Sequence, residues 1–267
     1  MADTLRLFFR FAGMNIRSQM QYRASFIMLT LGNFTVTIFE FLAISILFTR
    51  FGTIKGWTLG DIAMCYGFIS AAFGIAEGVG RGFDMFALQV LNGEFDRTLL
   101  RPRSTVLQVF GHDFNMTRSG RALQGIIIAA WASVNTGIHW NIPKAFLAVF
   151  TLAGGVAVFT GVLMIQAAVC FWSTQSLEIM NSFTYGGIEA TQWPIPIYNR
   201  WFARFFIYII PLACVNYFPV LAIIDKPDPL GSPYWFHWAA PAVGFVFLVI
   251  GWLVWQWGVR HYRSTGS

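Results

Sequence analysis

Apolar runs recur along the whole of this chain, and each is long enough to cross the ~30 Å hydrocarbon core of a bilayer, which takes about 20 residues of helix. The clearest is "ASFIMLTLGNFTVTIFEFLAISILF", Ala24 to Phe48, and a weaker one follows in "IAMCYGFISAAFGIAEGVG", Ile62 to Gly80. Leu123 to Trp140 and Ala145 to Trp172 read as a pair joined at the polar corner "NIPK". Ala239 to Trp257 closes the series, bracketed by tryptophans that suit the two interfaces. Composition agrees, with 56% hydrophobic and only 11% charged residues against roughly 25% charged in soluble domains. The expectation is an all-α, polytopic membrane protein, one membrane domain over residues 1–267.

Between Trp172 and the last run two readings stay open. Either 204–224 crosses alone, or the more polar 173–194 crosses and Trp201 to Ile224 dips in and returns. Pro211 and Pro219 interrupt the apolar part of the second piece, which favours a broken element buried against protein. Both readings give six transmembrane helices.

Lysine and arginine collect in short cytoplasmic loops. Twelve of the eighteen basic residues fall on one side: Arg6, Arg10, Arg17 and Arg23; Arg81, Arg97, Arg101, Arg103, Arg118 and Arg121; Arg260 and Arg263. The opposite side holds four, Arg50, Lys55, Lys144 and Lys226, while Arg200 and Arg204 depend on the reading chosen. Both termini are therefore expected to be cytoplasmic. Residues 1–23 place Leu5, Phe8, Phe9, Ala12 and Ile16 at helical spacing with arginines elsewhere on the wheel, as in a helix lying in the interface. No cleavage site follows, so no signal peptide is expected.

Enzymatic motifs are missing: there is no G-x-x-x-x-G-K-[ST], H-E-x-x-H or G-x-S-x-G, and His112, His139, His237 and His261 lack ligand spacing. The three cysteines sit singly in apolar runs and read as small buried hydrophobes. Uphill transport would then need an ion gradient or a partner. Glu40 is the one deep acid, and an ion-coupled secondary transporter or channel using it is the alternative function. Its bland reading is a carboxylate near the outer interface or neutralised against a neighbour. A lipid-modifying enzyme would need a clustered His, Asp or Cys set that the sequence lacks.

The other unusual stretch is "GEFDRTLLRPRS", Gly93 to Ser104. Phe83, Phe86, Ala87, Val90 and Leu91 precede it on one helical face, and Gly93 stops that helix. A short amphipathic element parallel to the membrane is expected over 81–104. Glu94 and Asp96 interleaved with arginines suit a protein surface of complementary charge better than lipid. The glycines Gly74, Gly78 and Gly82 permit close helix packing inside the subunit.

"LNGEFDRTLLRPRS" resembles the cytoplasmic coupling segment between the second and third membrane helices of type-2 permeases of ATP-binding-cassette (ABC) transporters. The likeness continues through "FTYGGIEATQWPIPIYNRWFARFFIYIIPLACVNYFPVLAII" and closes on "GVRHYRSTGS", and so covers the chain from about Leu91 to its end. The resemblance implies that Gly93, Glu94, Phe95, Asp96, Arg97, Leu99, Leu100, Arg101 and Pro102 dock on a separate ATPase. It implies that Pro194, Pro196, Tyr198, Pro211, Tyr217 and Pro219 build a re-entrant hairpin over 195–224, on the outward side and before the sixth helix. An exporter of the bacterial cytoplasmic (inner) membrane is implied, with two ATPase copies and a second, similar permease, a heterodimer in preference to a homodimer. This chain is expected to bind no cofactor of its own, ATP and Mg residing in the ATPase, and to meet lipid but no nucleic acid.

Overall fold

With no water to serve backbone groups in hydrocarbon, apolar runs fold as helices. The computed structural model describes residues 2–173 and 177–262. The helices are α1 (Ala2–Gln21), α2 (Arg23–Phe51), α3 (Leu59–Asp84), α4 (Phe86–Leu91), α5 (Glu94–Leu99), α6 (Thr105–His112), α7 (Ser119–Asn135), α8 (Ile142–Val169), α9 (Leu177–Thr191), α10 (Arg200–Arg204), α11 (Tyr217–Ile223), α12 (Tyr234–Ala239) and α13 (Ala242–His261). Among the described residues the β structure is one isolated bridge, Ile54 to Trp57. The expected helix over 1–23 is present as α1, though the side chains of Leu5, Arg6, Phe8, Phe9 and Ala12, and all of Arg263, lie outside the described residues.

Four helical stretches among the described residues are long and apolar enough to cross a membrane: Arg23–Phe51, Leu59–Leu91, Ile142–Val169 and Ala242–His261. The second corrects an expectation. Phe83 to Leu91 does not peel away as a separate amphipathic element; α4 carries α3 onward after a break at Met85, making a stretch of 33 residues. At 1.5 Å per residue that is about 50 Å, so about 20 Å stands beyond a ~30 Å core. Phe83, Phe86, Ala87 and Val90 are buried, whereas Leu91 is exposed. The third expected run also shifts: α7, 17 residues long, begins and ends earlier than Leu123 to Trp140, because Gly137 turns left-handed (φ +64°) and stops it.

Helix α3 is the centre of the bundle, with 89% of its apolar window buried against 17% for α2. Glycine makes this possible. A Cβ on Gly125 of α7 would sit 2.5 Å from the Ala71 nitrogen of α3, and one on Gly74 would sit 2.5 Å from the Ala122 nitrogen. The α8–α13 pair repeats the device at Gly154, Gly161, Gly244 and Gly251. Backbones that approach this closely gain dispersion contact along their whole length, which is what joins helices in lipid. The series Gly74, Gly78, Gly82 accordingly faces Ala122, Asn115 and Val109 of the same chain.

Residues 200–223 form a bent pair: α10 runs into a π-helical turn, Phe205–Ile209, breaks at Pro211, and returns through a 3₁₀ turn and α11 at 71°. The missing Pro211 amide and the extended Ile210 explain the break. Pro219, expected to interrupt, sits instead in the first turn of α11, where its absent N–H has no helical partner to lose. Both ends of the pair are held by the α2–α3 corner. Lys55 donates to the Pro196 and Ile197 carbonyls (3.4 and 3.0 Å) before it; Lys226 donates to the Gly56 carbonyl (2.8 Å) and Asp61 (2.6 Å) after it. Both flanks of the segment thus rest on one corner of the bundle. Lys144, paired with Asp225, belongs to that end too, which we call the lysine end; Arg200 and Arg204 follow Ile197 there.

Gly125→Val forces a branched side chain onto the α3 backbone and should cost about 1–3 kcal/mol, the usual toll of overpacking. Thermal unfolding in detergent should fall clearly, while Gly32→Ala, with nothing within 4 Å of its added Cβ, leaves it unchanged.

Candidate functional site

At the end opposite the lysines, the tip of α3–α4 reverses at Gly93, whose left-handed φ of +68° spares a side chain strain. α5 then folds back, and its Phe95 is fully buried. Phe95 meets Phe86 (ring centroids 4.9 Å), Tyr262 (5.1 Å), Phe171 (5.4 Å) and Trp255 (6.1 Å), mostly edge to face. Those rings come from α4, the C-terminal end of α13 and the end of α8, so one side chain ties the tip to two spans. Trp255 secures its indole N–H on Thr105 Oγ1 at 3.1 Å. Burial, and then Asp96 beside it, push the Tyr262 phenol up to about 12.

The stretch from Gly93 to Pro102 therefore has two faces. Phe95 and Asp96 turn inward. Glu94, Arg97, Leu99, Arg101 and Pro102 are exposed, and Leu100 is 85% exposed, the bare apolar apex of the turn. Gln108 of α6 clamps the turn, donating to the Thr98 and Arg103 carbonyls (3.1 and 3.2 Å). α1 is fixed to the same neighbourhood: Asn15 donates to the Gly111 carbonyl (3.2 Å), and Gln19 accepts from the Met116 amide (3.0 Å).

The hairpin residues lie far from this tip, at the lysine end. Tyr198 donates to the Ala190 carbonyl (2.8 Å), and Tyr217 donates to Asp228 (2.6 Å) while its ring meets Trp57. Pro194 caps, and Pro196 lies within, the 3₁₀ turn Ile195–Ile197 that leads from α9 into the pair. Burial alone would raise Asp228, but donation from Ser232, Tyr217 and the Leu230 and Ser232 amides outweighs it and holds the carboxyl below its ordinary value.

Sequence reasoning missed a third feature, a polar network inside the bundle. Glu40 of α2 pairs with Arg121 of α7 at 3.5 Å and accepts from Tyr66 of α3 at 3.4 Å. Gln124, one turn after Arg121, donates to Tyr66 and to the Thr37 carbonyl. Glu77 of α3, 1% exposed, pairs with Arg118 (3.3 Å) and Arg81 (3.9 Å) and accepts from Tyr185 of α9 (3.2 Å). Arg121, counted above as a loop arginine, lies in the first turn of α7 with its guanidinium also over the Phe73 ring. The available signal was the spacing of Arg121 with Gln124 and of Glu77 with Arg81, each placing polar groups on one helical face. Glu40 thus has the counter-charge that its bland reading requires.

Four to five helical stretches among the described residues are long and apolar enough to cross a membrane, and the turn at one end of the bundle carries the exposed Leu100. The model of the ABC-2 family transporter proteins matches residues 34–266. The chain belongs to the ABC-2 transporter family. No curated protein and no solved structure matches it. Family membership makes it a multi-pass membrane protein and a permease of an ABC transporter, a membrane component of a family that generally lacks ATPase motifs and implies an ATPase subunit as partner.

Phe95→Ala empties the centre of the aromatic cluster, a change that costs about 3–5 kcal/mol in a packed core. Trypsin should then cut at Arg97 and Arg103 at least about tenfold faster, whereas the exposed Leu100→Ala leaves the rate unchanged. At the lysine end, a carboxyl with a lowered folded pKa contributes stability above its ordinary value and loses it as pH falls through the lowered one. Proteolysis of 225–233 should therefore accelerate below about pH 4, and Asp228→Asn should show the fast rate at every pH.

Proposed function

We propose that the chain is one half of the membrane pathway of a bacterial ABC exporter, docked through the Gly93–Pro102 tip onto a separate ATPase. The observation that carries this is Leu100. A leucine 85% exposed at the apex of a turn that protrudes beyond the membrane, ringed by Glu94, Arg97 and Arg101, has the make-up of an interface anchor with a charged rim. Phe95 is keyed into its own chain and transmits rather than touches. Closure of the ATPase on ATP pushes α5, and the cluster of Phe86, Phe95, Phe171 and Trp255 passes the push to α8 and α13 as a rigid body.

In this reading the arginine-rich end is cytoplasmic, as the charge bias across the bundle supports, and both termini lie there. α7 and α9 complete six crossings. The bent pair 200–223 dips from the outer face and returns, supported by its two anchors on one corner and by the burial of α11, since irregular backbone survives at membrane depth only against protein. A second permease closes the pathway against the exposed face of α2, and the two ATPase copies hold ATP and Mg. The Glu40–Arg121 pair lends no support to ion coupling.

Leu100→Asp should reduce recovery of the co-expressed ATPase by at least about tenfold, the loss expected of an interface anchor, at unchanged yield and melting temperature of the permease. Undiminished recovery and transport would contradict docking at this tip.

A further inference from the structure

The Glu77 end of the polar network opens into a cavity of about 180 Å³ lined by Asn33, Val36, Thr37, Glu77, Arg118, Arg121 and Tyr185. Its walls come from α2, α3, α9 and the start of α7. Ionisable groups at this depth are costly and tend to be there for function.

The distribution of hydrogen bonds decides what fits. Arg81, Arg118 and Tyr185 all address the same oxygen of Glu77, Oε1. Oε2 of this buried carboxylate has no partner. A carboxylate oxygen only accepts, so the wall of the cavity holds one strong, buried acceptor in want of a donor. Beside it lie two guanidiniums, each with five N–H donors, held to Glu77 and Glu40 through one close nitrogen apiece. A simple anion would satisfy the arginines and face a bare carboxylate. A simple cation would satisfy Glu77 and face two positive charges. A group carrying an N–H donor and an anion side by side satisfies both.

We propose that this cavity seats a zwitterionic head with a primary ammonium and a phosphate, the ammonium on Glu77 Oε2 and the phosphate on Arg118 and Arg121. At about 30 Å³ per water-sized group, 180 Å³ holds roughly six, a head group and not a whole lipid. Val36, 60% exposed on α2, forms an apolar sill over which an acyl chain leaves toward the bilayer. The α3–α7 seam fixes Glu77 and the arginines, and Glu40–Arg121 ties α2 to it, which leaves α9 as the wall free to part. This deepens the transporter reading by naming a class of solute, and rests on it for the meaning of binding.

The test is calorimetric titration of the permease–ATPase complex in a non-ionic detergent with four probes. These are dihexanoyl phosphatidylethanolamine, dihexanoyl phosphatidylcholine (equal charge, no N–H), dihexanoyl phosphatidate (no ammonium) and free phosphoethanolamine. The ethanolamine lipid should bind at least about tenfold more tightly than the choline lipid and the phosphatidate, the loss expected when a charged buried group is left unpaired. Glu77→Gln should erase the ethanolamine-over-choline preference, and Arg118→Gln should weaken both lipids alike. Free phosphoethanolamine weaker than its lipid assigns an amphiphile, equal to it a soluble solute, and either supports the site. Equal binding of ethanolamine and choline lipids by the unsubstituted complex overturns the proposal and needs no variant to fold; so does a preference that survives Glu77→Gln. A complex that retains its ATPase but binds none of the probes overturns the cavity and leaves docking standing. A permease that shows the preference yet recovers no ATPase does the reverse.

Discussion

The fastening of a protruding tip to the ends of two spans by buried aromatic rings is the interaction on which the working account depends. Helix α3 with α4 is longer than a bilayer is thick, and what protrudes would flail without an attachment. Phe95, inserted among Phe86, Phe171, Trp255 and Tyr262, supplies it, and edge-to-face rings of this kind add to the burial of their large area. The result is a lever with a stiff root and a bare apex, Leu100. Stiffness at the far side comes from a different source, the glycine-lined seams of α3 with α7 and of α8 with α13, where backbones touch.

Charges inside the bundle obey a second constraint. Two carboxylates inside the described bundle are met by arginines from another segment, Glu40 by Arg121 and Glu77 by Arg118, because an unpaired charge in low dielectric is far costlier than a paired one. These pairs join α2 to α7 and the tail of α3 to the start of α7. They also leave an unevenly served carboxylate facing a small chamber, which is how a network needed for folding acquires a place for a polar guest. The lysine end shows the same economy: Lys55, Lys144 and Lys226 hold carbonyls and carboxylates at the corners and so fix where the bent pair enters and leaves.

Much of this was legible in the amino-acid sequence, for reasons that mark its limits. Apolar runs of bilayer length are a strong signal, and α2, α8 and α13 lie where such runs place them. Gly93 stops a helix on its own, so the reversal at the tip was legible too. Pro219 was misread because an interrupting proline and a proline in a helical first turn look alike until the helix start is known. Phe83 to Leu91 was misread because amphipathic spacing also describes a span that continues past the membrane and packs on its neighbours. The inward face of Phe95 and the pairing of Arg121 with Glu40 depend on which helices touch, which no periodicity within one helix reports.

The central claim is that Leu100 sits in a groove of a soluble motor throughout its cycle. Cys65, Cys170 and Cys214 are all buried, so Leu100→Cys creates a single accessible thiol on the described surface of the permease. Labelled there with a maleimide-benzophenone, which photo-inserts into neighbouring C–H bonds, it should give one covalent heterodimer with the ATPase in both the nucleotide-free and the ATP-bound complex. A thiol at position 100 that stays free and reactive in the assembled, transporting complex would contradict the account.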